Sequence, residues 1–220
     1  MRVIESVLAA GQRLPRSILD RSGEILYSGS QTLRRGPIYL LGLNPGGSPN
    51  EHKDTVRDRL KELPSQRRNN YLVSWGGRRP GAHPLQRGVQ WLADELGVRL
   101  EDVCASNLIF VRSPDERTSG FPECARQCWP VHRAILAVVK PTLILTFGKS
   151  PYNFLREEFG AVSEADPFPA GHANWQCRAF RSGEMQVVGL PHMSVYAIHK
   201  HPEVGVWLRG LLNNRRPATA

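Results

Sequence analysis

Ile38-Tyr39-Leu40-Leu41-Gly42-Leu43 runs without a break into Asn44-Pro45-Gly46-Gly47-Ser48. A short apolar run that ends at a turn signal is the pattern of a strand buried on both faces, as in a parallel sheet. The proline and the paired glycines turn the chain directly after Asn44, which brings an amide side chain and several backbone N–H groups out together. Three more runs repeat the pattern: Val103-Cys104-Ala105-Ser106 leading into Asn107, Leu143-Ile144-Leu145-Thr146-Phe147, and Val187-Val188-Gly189-Leu190. Between them lie helical stripes. Val89, Leu92 and Leu96 are followed by Gly97 as a stop. Cys124, Cys128, Val131, Ile135 and Val138 form a second stripe with Pro130 as an expected kink, and Val204, Trp207, Leu208 and Leu211 form a closing one. Residues 176–190 read as a hairpin that returns through Ser182-Gly183-Glu184. Strands alternating with helices predict an α/β fold, a mainly parallel sheet with helices on both faces.

At 220 residues one domain is expected, and a chain of that length buries roughly 70% of the surface it exposes when unfolded. Apolar residues make up 40% of it, yet none of its apolar runs approaches the about 18 residues of a membrane-spanning helix. The N-terminal stretch carries Glu5 and lacks the layout of an export signal. Four unevenly spaced cysteines are not a disulfide framework, so the expected setting is cytoplasmic. With 29 Lys and Arg against 20 Asp and Glu the net charge is +9, which favours polyanionic partners. Residues 64–84, rich in Pro, Gly, Arg and Asn, read as a long loop that carries Arg78 and Arg79.

In sheets of this kind ligands bind beyond the carboxyl ends of the strands. Three of the runs deliver polar groups there. The first ends in Asn44 and in the Gly46-Gly47-Ser48 turn, which suits either a phosphate cradle or an ordinary strand-to-loop connection. It is not a nucleotide P-loop, because no Gly-Lys-Ser/Thr follows. The second ends in Asn107, set among apolar residues, where its amide suits the edge of a base or the cap of a turn. The last delivers His192-Met193-Ser194, and a histidine at a strand end can donate to a developing negative charge.

Taken together, these motifs resemble the uracil-DNA glycosylase superfamily over about residues 36–212. Gly42-Leu43-Asn44-Pro45-Gly46 is similar to the first motif of its mismatch-specific and single-strand-selective branches. Ser106-Asn107 through Arg112-Ser113-Pro114 resembles the segment with the base-reading asparagine, Pro141 through Gly148 the third-strand element, and His192-Met193-Ser194 the His-x-Ser motif. The resemblance implies one domain over 1–220, built as a three-layer α/β/α fold around a central, mainly parallel four-stranded sheet. It implies a monofunctional glycosylase that extrudes uracil or a modified base from DNA and leaves an abasic site. Asn44 would position the water and His192 would stabilise the departing base. Gly42, Leu43, Pro45, Gly46 and Asn107 would hold that base, with Tyr71 or Trp75, and His83 as a third candidate, stacking on it. Gly47, Ser48, Arg78, Arg79, Ser194 and Lys200 would hold DNA, with Val195 and Tyr196 in the loop that enters the stack.

Two departures stand out: Met193 takes the place of the usual proline, and the segment after Gly46 is long. The iron–sulfur branch has a cysteine thirteen residues before the third-strand proline, and Cys128 stands thirteen before Pro141, but no cysteine precedes residue 104. No cofactor or metal is therefore expected. His199, His201 and Cys177 lack paired zinc spacing, and a Schiff base at Lys200 does not fit a monofunctional enzyme. DNA, single- or double-stranded, is the expected partner of a monomer. Excision of hypermodified phage-type cytosine in defence against phage, and an inert DNA-binding protein on the same fold, are the alternative functions.

Overall fold

Each of the four apolar runs is a strand in the computed structural model of the chain, which describes residues 2–51, 54–160 and 163–213. In chain order the strands are β1 Ile38–Gly42, β2 Cys104–Asn107, β3 Leu143–Phe147, β4 Ser163–Pro169, β5 Gln176–Ser182 and β6 Met185–Leu190. The helices are α1 Arg2–Gln12, α2 Arg16–Leu19, α3 Val56–Glu62, α4 Pro84–Glu95, α5 Glu123–Val139, α6 Lys149–Phe159 and α7 Pro202–Asn213. The fold is α/β, but the sheet is not the four-stranded one expected. It has six strands in the order β2-β1-β3-β6-β5-β4 and is mixed. β2, β1, β3 and β6 are mutually parallel, while β5 and β4 add an antiparallel extension on the β6 side.

β4 escapes sequence reading for a physical reason. Its sequence, Ser163 to Pro169, is almost wholly exposed and holds two prolines, so it shows no apolar alternation. Proline cannot donate to a ladder and is tolerated on such an edge, where it also discourages further pairing. At the opposite edge the N-terminal segment lies along β2, with Leu26 bridging Ser106 and the Tyr27 N–H donating to Ala105 O at 2.8 Å. Both edges of the sheet are thus managed.

Successive strand residues point to opposite faces. Tyr39, Leu41, Ile144 and Val187 face one core, shared with α1, α3, α5 and α6, while Leu40, Leu145 and Val188 face a second one with α4 and α7. α5 runs through Pro130 as one helix, and α4 and α7 cover the expected stripes. Residues 64–84 form the expected loop, with one 3-10 turn at its start and an isolated bridge between Trp75 and Arg78. Among the described residues no helix is long and apolar enough to cross a membrane.

A titratable ring lies deep in the first core. His132 of α5 is fully buried, its Nδ1 2.9 Å from the Tyr39 hydroxyl and its Nε2 3.1 Å from Leu108 O. A carbonyl can only accept, so Nε2 carries the proton and Nδ1 accepts from Tyr39. Burial lowers the pKa of this ring to about 4.

Candidate active site

The carboxyl ends of β1, β3 and β6 open into one cavity of about 700 Å³. Asn44, the second residue beyond β1, is half-buried on its wall. Its Nδ2 lies 2.9 Å from Pro45 O, 3.0 Å from Ser113 O and 2.9 Å from Ser113 Oγ. Two of those atoms are carbonyl oxygens, and Ser113 Oγ spends its own proton on Asp115 O, so the amide nitrogen must point that way. Asn44 Oδ1 is left as a fixed acceptor.

His192 stands two strands away on the same cavity, just past β6. The Ser194 N–H donates to its Nδ1 at 3.3 Å, and Ser194 Oγ is 2.6 Å from the same atom. A backbone N–H can only donate, so Nδ1 accepts and the proton of the neutral ring sits on Nε2. Burial lowers the His192 pKa and His83 adds to this, while the Glu116 carboxylate opposes it. The ring is therefore a neutral donor near pH 7. Gly148, at the end of β3 between the two residues, has φ 97° and leaves the space between them free of a side chain.

The histidine loop is held from behind. Met193, where the motif it resembles has proline, is fully buried against α4, and a Cβ on Gly88 would come within 2.8 Å of its Sδ. Tyr196 is also buried. Its hydroxyl donates to Ala170 O at 2.5 Å and its ring stacks on His201 at 4.9 Å, so it belongs to the core and does not face DNA as expected. Val195, by contrast, is 70% exposed at the cavity rim, and Ser194 lines the cavity. Lys200 is exposed away from it in the 3-10 turn Ile198–Lys200.

The remaining expected residues divide. Leu43 lines the cavity, and Gly42 and Pro45 are buried behind it. Gly46 and Gly47 are exposed, and Ser48 Oγ accepts from the Asn50 N–H at 3.2 Å. Arg78 and Arg79 are exposed on the basic loop. Tyr71 is a core residue, 5.7 Å from the Tyr27 ring. Trp75 is half-buried, 4.9 Å from His83, and like Tyr71 and His83 it is not part of the cavity wall. Asn107 is 5% exposed, also off that wall, and its Nδ2 makes no hydrogen bond of good geometry among the described residues. Its Oδ1 lies directly over Gly42, the residue it pairs with in register, at the place a Cβ would occupy. Gly42→Ala should therefore displace the Asn107 side chain and cost about 2 kcal/mol in urea unfolding. Gly42→Ala/Asn107→Ala should recover most of that loss.

Several wall residues were not anticipated: Glu116, Lys149, Ser150, Trp175 and Arg178. Ser150 donates to the Glu116 carboxylate on the cavity wall. Lys149 and Ser150 follow β3 as Asn44 follows β1, so the strand-end rule that located Asn44 and His192 also pointed at them. Among the described residues, no three His, Cys, Asp or Glu side chains gather as a metal site. Cys128 is buried, with its thiol pushed up to about 12 by burial.

No protein-family model matches this chain, and neither does any curated protein sequence. The chemistry of the site is set by its atoms. It offers a fixed acceptor and a fixed neutral donor on either side of an open strand end, in a cavity with a cationic rim.

Proposed function

We propose that the protein hydrolyses the N-glycosidic bond of a base extruded from DNA and leaves an abasic site. One observation carries this reading: Asn44 and His192 share a cavity, each with one end of its side chain tied off and the other presented as Oδ1 and Nε2–H. Breaking the bond leaves the electron pair on the base and positive charge on the sugar. His192 Nε2–H would donate to the negative oxygen of the departing base, a fixed dipole aimed where charge develops. Asn44 Oδ1 would hold a water against the sugar carbon. The water oxygen adds there, and its proton ends on the released base.

Asparagine is too weak a base to drive attack, so positioning has to supply the rate, which suits a sugar that is already electrophilic. A base must leave the stack before it can enter such a cavity, at a cost of a few kcal/mol. The net charge of +9 and the exposed Arg78 and Arg79 favour contact with the backbone, and Val195 is an exposed apolar group at the rim that can fill the gap in the stack. The four parallel strands and the helices on both faces support the three-layer fold of the uracil-DNA glycosylase superfamily. Four free thiols suit a reducing cytoplasm.

The test is an abasic-site assay on labelled oligonucleotides containing uracil opposite adenine or guanine, uracil in a single strand, hypoxanthine, and hydroxymethylated or glucosylated pyrimidines. Alkali-labile cleavage of at least one substrate, abolished in Asn44→Ala, is expected. Salt-sensitive DNA binding with no product from any substrate would show an inert DNA-binding protein instead.

A further inference from the structure

The cavity is longer than the reaction needs. Asn44 and His192 stand at the ends of β1 and β6, but the wall continues past His192 to Trp175 and Arg178 at the start of β5. β5 is antiparallel to its neighbour, so its first residues lie at the carboxyl edge of the parallel strands, with Arg178 opposite Gly189. From β1 to β5 is three strand spacings, about 14 Å at about 4.8 Å each. That is more than one base requires.

The outer part of this cavity has a distinct chemistry. Trp175 is half-buried and keeps one side open to the cavity. Its ring is braced by His172 at 4.8 Å and by Tyr196 at 6.0 Å. The chain around it is closed by two backbone hydrogen bonds, Trp175 N–H to His172 O at 3.0 Å and Ala170 N–H to Trp175 O at 2.9 Å. The Tyr196 hydroxyl ties the same turn to the histidine loop through Ala170 O. Arg178 and Lys149 border the ring's surroundings, and among the described residues neither forms an ion pair. Arg178 reaches only the neutral Gln176, at 3.2 Å. The Glu116 carboxylate on the same wall is taken up by Ser150, and a rigid aromatic surface that shares a cavity with two cations free of ion pairs is the chemistry that holds an unpaired base and the phosphate joined to it.

We infer that the outer end of the cavity is a second nucleotide subsite, where the base adjoining the target in the same strand stacks on Trp175 and its phosphate meets Arg178 and Lys149. The inference rests on the glycosylase reading for the target's place at His192. It adds a specificity element supplied by the antiparallel extension of the sheet. Two adjoining nucleotides, not one, then leave the stack when the substrate is bound.

The experiment uses binding, which does not depend on turnover. Fluorescent hexanucleotides carry a single uracil whose adjoining nucleotides are either thymidine on one side or base-free spacers throughout, with the thymidine placed 5′ in one probe and 3′ in another. The wild-type chain is expected to bind one of the two-base probes about tenfold more tightly than the one-base probe. Trp175→Ala should bind all three alike, and Trp175→Phe should keep most of the preference. A preference that survives in Trp175→Ala, or is missing in the wild type, overturns the inference. So does an equal loss on every probe in Trp175→Ala with an unchanged circular dichroism spectrum, since the ring would then only support the wall. If Trp175→Ala weakens only a probe whose target pyrimidine carries a glucosyl group, the space serves a base substituent and the inference also fails. A tenfold preference that depends on Trp175, together with no abasic product from any substrate, would leave the subsite standing and remove the glycosylase reading.

Discussion

Replacing His192 by alanine is expected to lower the rate of base release by about two to three orders of magnitude, the usual cost of one fixed donor to a developing anion. The loss should appear in single-turnover rates, with oligonucleotide affinity almost unchanged, because the donor matters only once charge builds on the base. The pH profile follows from the ring's surroundings. Its pKa is lowered, chiefly by burial, so the neutral form prevails at and above neutrality. Protonation would place a hydrogen on Nδ1, where the Ser194 N–H now donates, and break the contact that orients the ring. The rate should therefore be flat from neutral to mildly alkaline pH and fall only in acid, below the ordinary histidine pKa of about 6.5. Glu116→Gln removes the charge that opposes the shift, so the acid limb should move to still lower pH. A His192→Ala rate within about threefold of wild type would remove the histidine from the mechanism, because a fixed donor is worth far more than that.

How far the sequence foretells this site depends on what each residue has to satisfy locally. Asn44 and His192 are legible because short apolar runs have one burial solution, a two-sided parallel strand, and the residues just beyond such runs lie on one edge. Asn107 is placed at a strand end by the same pattern, but it lies off the cavity wall, and its packing over Gly42 explains why a glycine closes the otherwise bulky β1. The outer wall of the cavity is legible only in part. The hairpin read over residues 176–190 is β5 turning into β6, so the antiparallel pairing that carries Arg178 to the site's edge is announced by its turn, whereas Trp175 lies just before that hairpin and no strand-end signal marks either residue as part of the wall. β4 is silent because an exposed edge strand with Pro167 and Pro169 has no buried face to alternate. Tyr196 misleads for the opposite reason. It lies in the loop after His192, where a family pattern suggests contact with DNA, yet its ring finds His201 and its hydroxyl finds Ala170 O. Tertiary packing thus makes it core.

Acid should destabilise the fold by a route that ends at the same edge of the sheet. His132 is neutral and fully buried, with a pKa of about 4 set mainly by burial. In the unfolded chain a histidine binds its proton at about 6.5, so between pH 6.5 and 4 the unfolded state holds a proton that the folded state refuses. Stability is then greatest above 6.5 and declines as pH falls, and it stops declining below about 4, where both states are charged. The span of the shift corresponds to about 3 kcal/mol, or a folding constant lowered by about two orders of magnitude. Because Asp, Glu and other His groups titrate over the same interval, the measurement that isolates this one is the difference between wild type and His132→Gln in urea unfolding at pH 7, 5.5 and 4.5. Glutamine offers a donor and an acceptor to Leu108 O and Tyr39 without titrating. The variant should be less stable than wild type at pH 7 and should lose less on acidification. Parallel pH curves for the two proteins would show that His132 is not the group that refuses the proton. The position of the ring gives the prediction its functional reach. Leu108 O, which it holds at 3.1 Å, belongs to the residue after Asn107, so the same histidine also fixes the end of β2, whose neighbour β1 carries Asn44.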